Sequence, residues 1–554
     1  MSFWSDLFGK KQKWKGKKQS LEKLAPVSVG KETEETDEQI IEEIKKLVHL
    51  NLEKYHIPGL VLSVMKDDKL LLNEGFGVND IDLPDDHPSK TFTSESLINQ
   101  CSITKSFTAG AIAILVEQGK LAWDKPLKDY IPELEFADEY LTNNVTIIDL
   151  LSHRTGLPSP EVFFQGTREY YDNVTHDNIL KTLKYLKPTD PFRTTMIYNN
   201  YMYILVADLV TRLSGMDYKE FVNKHIFLPL GMTKSTWIEK DFIPGSVTPH
   251  KLVLNKTEFL EEVAESKVFQ KKHVKTITPV FEKVSGDSGI FSCGSDMIKW
   301  VTCLMNDGKN LGGDIVIPHM DVLEKIHNPD EYCRENSGWS TLGYACGLVV
   351  YQSKGLRILA HSGGMHGYNT FMAYCSKSKI ATYVGCNSDF TGILQILGYT
   401  LKRLTKSYNE KDALAEFNKS MENYAEGNFK FMSRTINNYF CGDVIVHRKF
   451  DELPGVYNNP YYGKITLSKH EDKGALYIQR DPEPPVPLLP YRENPEMKEN
   501  EIDTTVKFFI PAMIGSDFMV EQRWRFDITD EGICLITEEE GEESNFEVIF
   551  TKLN

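Results

Sequence analysis

The chain has 554 residues, 41% hydrophobic and 26% charged. That is an ordinary globular composition, long enough for more than one domain and for a core that needs no staples. A formal net charge of −16 argues against a nucleic-acid partner. The nine scattered cysteines, without a CxxC pair, exclude a regular disulfide framework and offer no metal-like cluster.

Residues 1–37 open with MSFWSDLFGKKQKWKGKKQ, lysine-rich and without the apolar core of a secretory signal. A solvated, disordered tail and linker is expected there. Phe3, Trp4, Leu7 and Phe8 beside the lysines leave weak contact with a membrane surface open. No apolar run is long enough to span a bilayer. Reduced thiols and a tail lacking arginine place the protein in the cytoplasm, with the mitochondrion as the alternative.

Residues 38–408 read as one α+β domain. Ile40, Ile41, Ile44, Leu47, Val48 and Leu52 recur at helical spacing. The next segment, LVLSVMKDDKLLLNEGFG, reads as a hairpin turning at Lys66-Asp67-Asp68-Lys69. A buried helix, FTAGAIAILVEQGK, should end at Gly119, and TIIDLLSHRTGL reads as a second helix. Residues 160–190 lack periodicity, as a loop over a site would, and YILVADLVTRLSG is helical again. After Gly343 come strand-like runs: YACGLVVYQ, LRILAHSGG, NTFMAYCS and ATYVGCN. Strands at both ends with helices between predict an antiparallel sheet whose first and last strands meet. A charged helical connector is expected over 409–449. From 450 to 554 short strands with turn signals predict a small antiparallel β-barrel or sandwich.

Three short motifs carry chemistry. S-x-x-K occurs five times, at Ser20, Ser28, Ser63, Ser102 and Ser376, so context decides among them. Only Ser102 begins a long apolar helix, where Lys105, three residues on, shares its face. A hydroxyl becomes a useful nucleophile when a neighbouring base takes its proton, and a helix start aims free N–H groups at the reaction centre. Tyr198-Asn199-Asn200 closes the long loop just before a helix. A tyrosine beside an ammonium can serve as a base, and Asn200 offers hydrogen bonds to Lys105 and to a substrate amide. His361-Ser362-Gly363-Gly364 ends an apolar strand. Its small residues let substrate approach the backbone, and the Gly364 N–H is a candidate to join that of Ser102 as an oxyanion hole. Alone, each motif is ordinary: a helix cap, a packing tyrosine, a strand-to-turn junction. Their order and contexts together favour catalysis.

Ser102-Ile103-Thr104-Lys105, Tyr198-Asn199-Asn200 and His361-Ser362-Gly363 resemble the three motifs of penicillin-binding proteins, class C β-lactamases, D-aminopeptidases and related esterases. LLSHRTGLP (150–158), HIFLPLGM (225–232) and GDSGIFSCGSDMIKW (286–300) look like further blocks of that family, and the likeness runs over about residues 38 to 400. LPGVYNNPYYG (453–463) is similar to a lipocalin-like module that follows this domain in some members. The resemblance implies a β-lactamase/transpeptidase-like fold, acylation of Ser102, and proton transfer shared by Lys105 and Tyr198. Asn200, His361, Ser362, Gly363 and Gly364 would line the substrate site. No cofactor or metal is implied. The substrate would be a small molecule or peptide, and self-association is open to the protein. One departure stands out: true β-lactamases carry lysine where this chain has His361, which speaks against antibiotic hydrolysis and towards esters or amides. The competing reading is a scaffold or assembly protein that retains the fold with little or no turnover. His153 and His366 lie beside the motifs and are not counted as catalytic.

Overall fold

The sheet begins with a two-residue hairpin. Strand β1 (Gly59–Lys66) returns as β2 (Lys69–Gly77), with Lys66 opposite Lys69. Asp67 and Asp68 both have positive φ, the geometry that matches a tight turn to the twist of its strands. The computed structural model describes residues 35–55, 57–158, 179–181, 183–237, 246–253, 272–275, 285–329, 335–336, 339–365, 367–388 and 392–421. In the C-terminal part it describes 453–459, 463–469, 476–479, 486–491, 506–509, 522–529, 532–539 and 546–553. The basic tail, most of the aromatic loop expected at 160–190, His366 and connector residues 422–449 lie outside these.

Strand β1 is buried along almost its whole length, as a strand covered on both faces must be. Strands β3 (Trp339–Tyr344), β4 (Val349–Ser353), β5 (Leu356–Met365), β6 (Tyr368–Cys375) and β7 (Ile380–Cys386) follow from the second half of the chain. The order across the sheet is β2-β1-β7-β6-β5-β4-β3, with the short strands 328–329 and 335–336 beyond β3. The expected meeting of first and last strands is present: β1 pairs antiparallel with β7 from Leu60 opposite Cys386 to Lys66 opposite Ile380.

Alternation along β1 divides the core. Leu60, Leu62 and Val64 join one apolar cluster with helices α1 (Asp37–Tyr55) and α6 (Ile393–Leu404). Val61 and Met65 join the other, with α2 (Thr104–Glu117), α4 (Asn200–Ser214) and α5 (Gly294–Met305). Buried Arg403 of α6 ties that side together, its guanidinium pairing with Glu43 at 2.8 Å and Glu35 at 2.7 Å. Residues Thr104 to Leu115 of α2 are all buried, which explains a sequence apolar all round rather than on one stripe. Phe107 stacks on Trp300 of α5 at 4.0 Å between centroids, and Trp300 Nε1 donates to Ser106 Oγ at 3.0 Å.

The helix expected from TIIDLLSHRTGL is shorter than its pattern. It is α3 (Ile147–Leu151), held by a capping box between Thr146 and Asp149. It stops because His153 takes a left-handed conformation, φ 56°. Asp149, with no exposed surface, then acts as a hub. Its carboxylate accepts from Arg154 Nε at 2.6 Å, from Arg193 Nε and an Arg193 terminal nitrogen at 2.8 Å each, and from the Thr146 N–H and hydroxyl at 2.8 Å each. Burial alone would raise its pKa, but Arg193, Thr146 and Arg154 outweigh burial and hold it below the usual carboxylate value. Backbone bonds continue the clasp: Thr189 N–H to Gly156 O at 2.9 Å, Arg193 N–H to Arg154 O at 2.8 Å and Ile197 N–H to His153 O at 3.0 Å. Residues 189–197 are thereby laid along 153–156, and the chain arrives at Tyr198 already fixed.

In the C-terminal part, β8 (Gly455–Asn459), β9 (Gly463–Lys469), β10 (Leu476–Gln479), β11 (Val486–Tyr491), β12 (Val506–Phe509), β13 (Gln522–Thr529), β14 (Gly532–Glu539) and β15 (Phe546–Lys552) pair antiparallel in chain order. The first also pairs with the last. Tyr457, Ile465 and Leu467 are buried, and the Tyr457 hydroxyl donates to Leu453 O at 2.7 Å. Among the described residues no helix is long and apolar enough to cross a membrane.

The Asp149 hub generates a stability prediction. Asp149→Ala removes the shared acceptor of two guanidinium groups, and breaking a buried pair costs about 3–5 kcal/mol. Arg193 is partly solvated, so the lower end of that range is expected. A urea titration of wild type and variant measures it, and an unchanged midpoint would show the hub to be dispensable.

Candidate active site

Ser102 sits in the short 3-10 turn Cys101–Ile103 that leads into α2. The turn is strained at its first residue: Cys101 has φ 48°, a region a residue with a β-carbon seldom occupies. Neighbours hold it there. Cys101 N–H donates to Asn99 Oδ1 at 2.8 Å, and Gln100 N–H donates to Ile290 O at 2.7 Å. Ile98–Asn99 is itself paired with Phe291 and Ser292. Strand β5 presses in from the other side. A β-carbon at Gly363 would lie 2.4 Å from Gln100 O and 2.4 Å from Thr370 Oγ1. Only glycine permits this approach, and the Thr370 hydroxyl closes the seam by donating to Gln100 O at 3.1 Å.

Lys105 has no exposed surface. Its ammonium donates to Ser102 Oγ at 3.1 Å and to the Asp287 carbonyl at 2.9 Å. It lies 4.9 Å from the centre of the Tyr198 ring and 5.5 Å from that of Tyr203, within the range of cation–π attraction. Ser102, Lys105 and Tyr198, far apart in sequence, are thus one cluster. The other S-x-x-K serine of the first hairpin is occupied elsewhere, Ser63 donating to Asn73 Oδ1 at 2.8 Å and Lys66 to Asp37 at 2.7 Å.

The remaining residues of the expected site flank this cluster. Asn200 is the first residue of α4 and is half-buried. Ser362, Gly363 and Gly364 lie on β5 opposite Phe371, Thr370 and Asn369, with Ser362 and Gly364 half-buried. His361 lies 6.4 Å from the Tyr198 ring, centre to centre. Its imidazole is turned inward. Its Nε2 meets the Tyr344 hydroxyl at 2.8 Å, its Nδ1 meets Ser362 O at 2.6 Å, and the side chain is 3% exposed. A carbonyl only accepts, so Nδ1 carries the proton and Tyr344 donates to Nε2. Burial, reinforced by the Lys105 charge, pushes the His361 pKa down to about 3. The ring is neutral and committed inward, so a substrate carboxylate finds no cation at this position.

Two neighbours of the cluster were not counted among the site residues. Asp287 supplies the carbonyl that takes Lys105, and its side chain is buried; burial pushes its carboxyl up, against the pull of Lys105. The segment bearing it is fixed by Gly286 at φ 115°, where a β-carbon would lie 2.4 Å from Tyr203 O. Thr108 Oγ1 donates to Gly286 O at 2.6 Å. The signal was the Gly-Asp-Ser-Gly spacing at 286–289, two glycines flanking a buried polar pair. The second neighbour is His153, whose ring lies 4.3 Å from that of Tyr198.

Fold and site together define a protein of the β-lactamase and penicillin-binding type. Residues 38–400 match the family profile described as Beta-lactamase, and the chain belongs to that family. It is 26% identical over 469 residues to an unguisins hydrolase of Aspergillus campestris, spanning 81% of each chain. It is 27% identical over 352 residues to penicillin-binding protein 4* of Bacillus subtilis, spanning 61% of this chain and 70% of that one. Among solved structures its fold is similar to the octameric penicillin-binding protein homologue from Pyrococcus abyssi, with a TM-score of 0.55 at 20% identity, over 92% of this chain and 100% of that one. It is also similar to a D-stereospecific amidohydrolase from Streptomyces sp., with a TM-score of 0.51 at 16% identity, over 66% and 98%. Hydrolase names among these relatives agree with an enzyme of the serine hydrolase class.

The neutral histidines make stability depend on pH. The folded state keeps His361 unprotonated, and His153 likewise, its pKa lowered well below the ordinary value by burial and the Lys105 charge. The unfolded chain protonates both near pH ~6.5. Below that pH the unfolded state therefore binds more protons, and stability falls as pH falls, by up to about 1.4 kcal/mol per pH unit for each histidine. Thermal unfolding between pH 7.5 and 5 should show a shallower decline for His361→Asn than for wild type. Parallel curves would contradict the buried neutral state.

Proposed function

We propose that this protein hydrolyses an ester or amide through an acyl-enzyme on Ser102. The observation that carries this reading is the buried Lys105 ammonium, 3.1 Å from Ser102 Oγ and beneath the Tyr198 ring. In the reaction Ser102 Oγ attacks the carbonyl carbon while its proton passes to whichever member of the Lys105–Tyr198 unit is unprotonated, the other holding its own proton. That unit returns the proton to the departing alcohol or amine as the scissile bond breaks. Water then attacks the acyl carbon, giving its proton to the same unit, which returns it to Ser102 Oγ as the acyl–oxygen bond breaks and the carboxylic acid leaves. The N–H groups of Ser102 and Gly364 would receive the developing oxyanion, with Asn200 orienting the substrate amide. Relatives named as an unguisins hydrolase and as a D-stereospecific amidohydrolase favour an amide among the natural substrates. The paired ring of C-terminal strands supports a small lipocalin-like barrel as the second module, and the octameric homologue supports self-association.

A fluorophosphonate probe should label wild type stoichiometrically and Ser102→Ala not at all, with the adduct placed on Ser102 by mass spectrometry. Labelling of another residue would sink the assignment.

Substrate preference gives a second check. A charge-assisted contact to a carboxylate contributes about 1.5–3 kcal/mol, roughly ten- to a hundredfold, and neutral His361 cannot supply it. Short nitrophenyl esters should therefore be turned over clearly and nitrocefin only slowly. Faster destruction of nitrocefin than of the esters would refute this.

A further inference from the structure

We infer that His153 is a positioning residue for Tyr198, a role that rests on the proton-transfer reading proposed above. His153 reaches Tyr198 from three sides at once. Its carbonyl accepts the Ile197 N–H at 3.0 Å, immediately before the tyrosine. Its Nδ1 accepts the Asn199 N–H at 3.1 Å, immediately after it. Its ring lies against the tyrosine ring, centroids 4.3 Å apart at an interplanar angle of 37°. One residue therefore fixes both peptide flanks and the ring plane of the group that shares the Ser102 proton.

The form of the imidazole follows from these contacts. Nδ1 accepts an N–H, so it bears a lone pair, and the neutral ring carries its proton on Nε2. That nitrogen is fully enclosed and has no hydrogen-bond partner among the described residues. The ring is surrounded by Tyr198, by Tyr203 at 5.2 Å and by Tyr344 at 4.8 Å. Leaving a buried donor unmatched is costly, and such groups in native proteins call for an explanation. His153 also holds φ 56°, in the left-handed region that few non-glycine residues occupy. Its main chain is further pinned by Asn328 Nδ2, which donates to Ser152 O at 3.1 Å and His153 O at 3.3 Å. A residue needed only to fill space would require neither the left-handed backbone nor an imidazole. Both are accounted for if the ring must accept from Asn199 on one edge and present a face to Tyr198.

The test separates positioning from mere folding. His153→Asn keeps an acceptor for Asn199 but removes the ring; His153→Phe keeps a ring but removes the acceptor. Each should lower kcat on p-nitrophenyl butyrate at least tenfold while KM stays within threefold. Because His153 acts through Tyr198, the same changes made in a Tyr198→Phe background should cost less than threefold. Thermal midpoints of all variants confirm that folded enzyme is compared, and if one substitution fails to fold the other decides. Equal fold-losses in both backgrounds, or a wild-type kcat in folded His153 variants, would overturn the inference. A Tyr198→Phe enzyme with wild-type kcat would instead remove the proton-transfer role on which it stands.

Discussion

A lysine ammonium with no exposed surface must find all of its compensation inside the protein. Lys105 finds it in the Ser102 hydroxyl, the Asp287 carbonyl and the faces of Tyr198 and Tyr203. The partners come from the serine turn, from residues 198–203 and from Asp287, so the ammonium is buried only when those three stretches are assembled. The strained turn at Cys101, the glycine pair around Asp287 and the clasp of residues 189–197 onto 153–156 all deliver a partner to this one group. Burial then matters chemically: in a medium of low polarity, a small displacement of any partner changes the interaction far more than it would in water.

The sheet makes such precision affordable. Strands β1 and β7, from opposite ends of the domain, lie side by side, one strand in from the β2 edge of the sheet. The helices between them are therefore gathered against one rigid face, and α2 is enclosed on all sides. Gly363 shows how close the fit is, since a single added carbon would collide with both the serine turn and Thr370.

Much of this was readable from sequence, for physical reasons that can be named. The hairpin at 66–69, the glycine ends of α2 and α4 and the alternating runs after Gly343 are local patterns with local causes, and each appears where its pattern lies. Ser102 was separable from four other S-x-x-K serines because only it opens a helix without a polar face. What sequence left open was set by tertiary contact. The TIIDLLSHRTGL pattern continues as a helix by propensity, yet the chain turns at His153, whose carbonyl is taken by Ile197 and Asn328 from distant segments. For His361, the hydrogen bond at Nε2 depends on Tyr344, two strands away in the sheet, and nothing in its own neighbourhood announces that partner. Asp287 contributes a carbonyl, which every residue possesses, so the glycines at 286 and 289 mark a special backbone there without saying which group it serves.

The electrostatics of the site follow from the same burial. Two imidazoles lie near one ammonium, and a second positive charge there would repel the first in a setting with little water to screen it. Both histidines are accordingly held neutral, by desolvation first and by Lys105 in addition. Each then makes hydrogen bonds of fixed sense. His361 accepts from the Tyr344 hydroxyl and donates to Ser362 O, while His153 accepts the Asn199 N–H. Uncharged rings of fixed tautomer orient their neighbours without competing for the serine proton. In the mechanism proposed above, the proton chemistry is thereby left to Lys105 and Tyr198, and selectivity among substrates to shape and backbone hydrogen bonding rather than to attraction for a carboxylate.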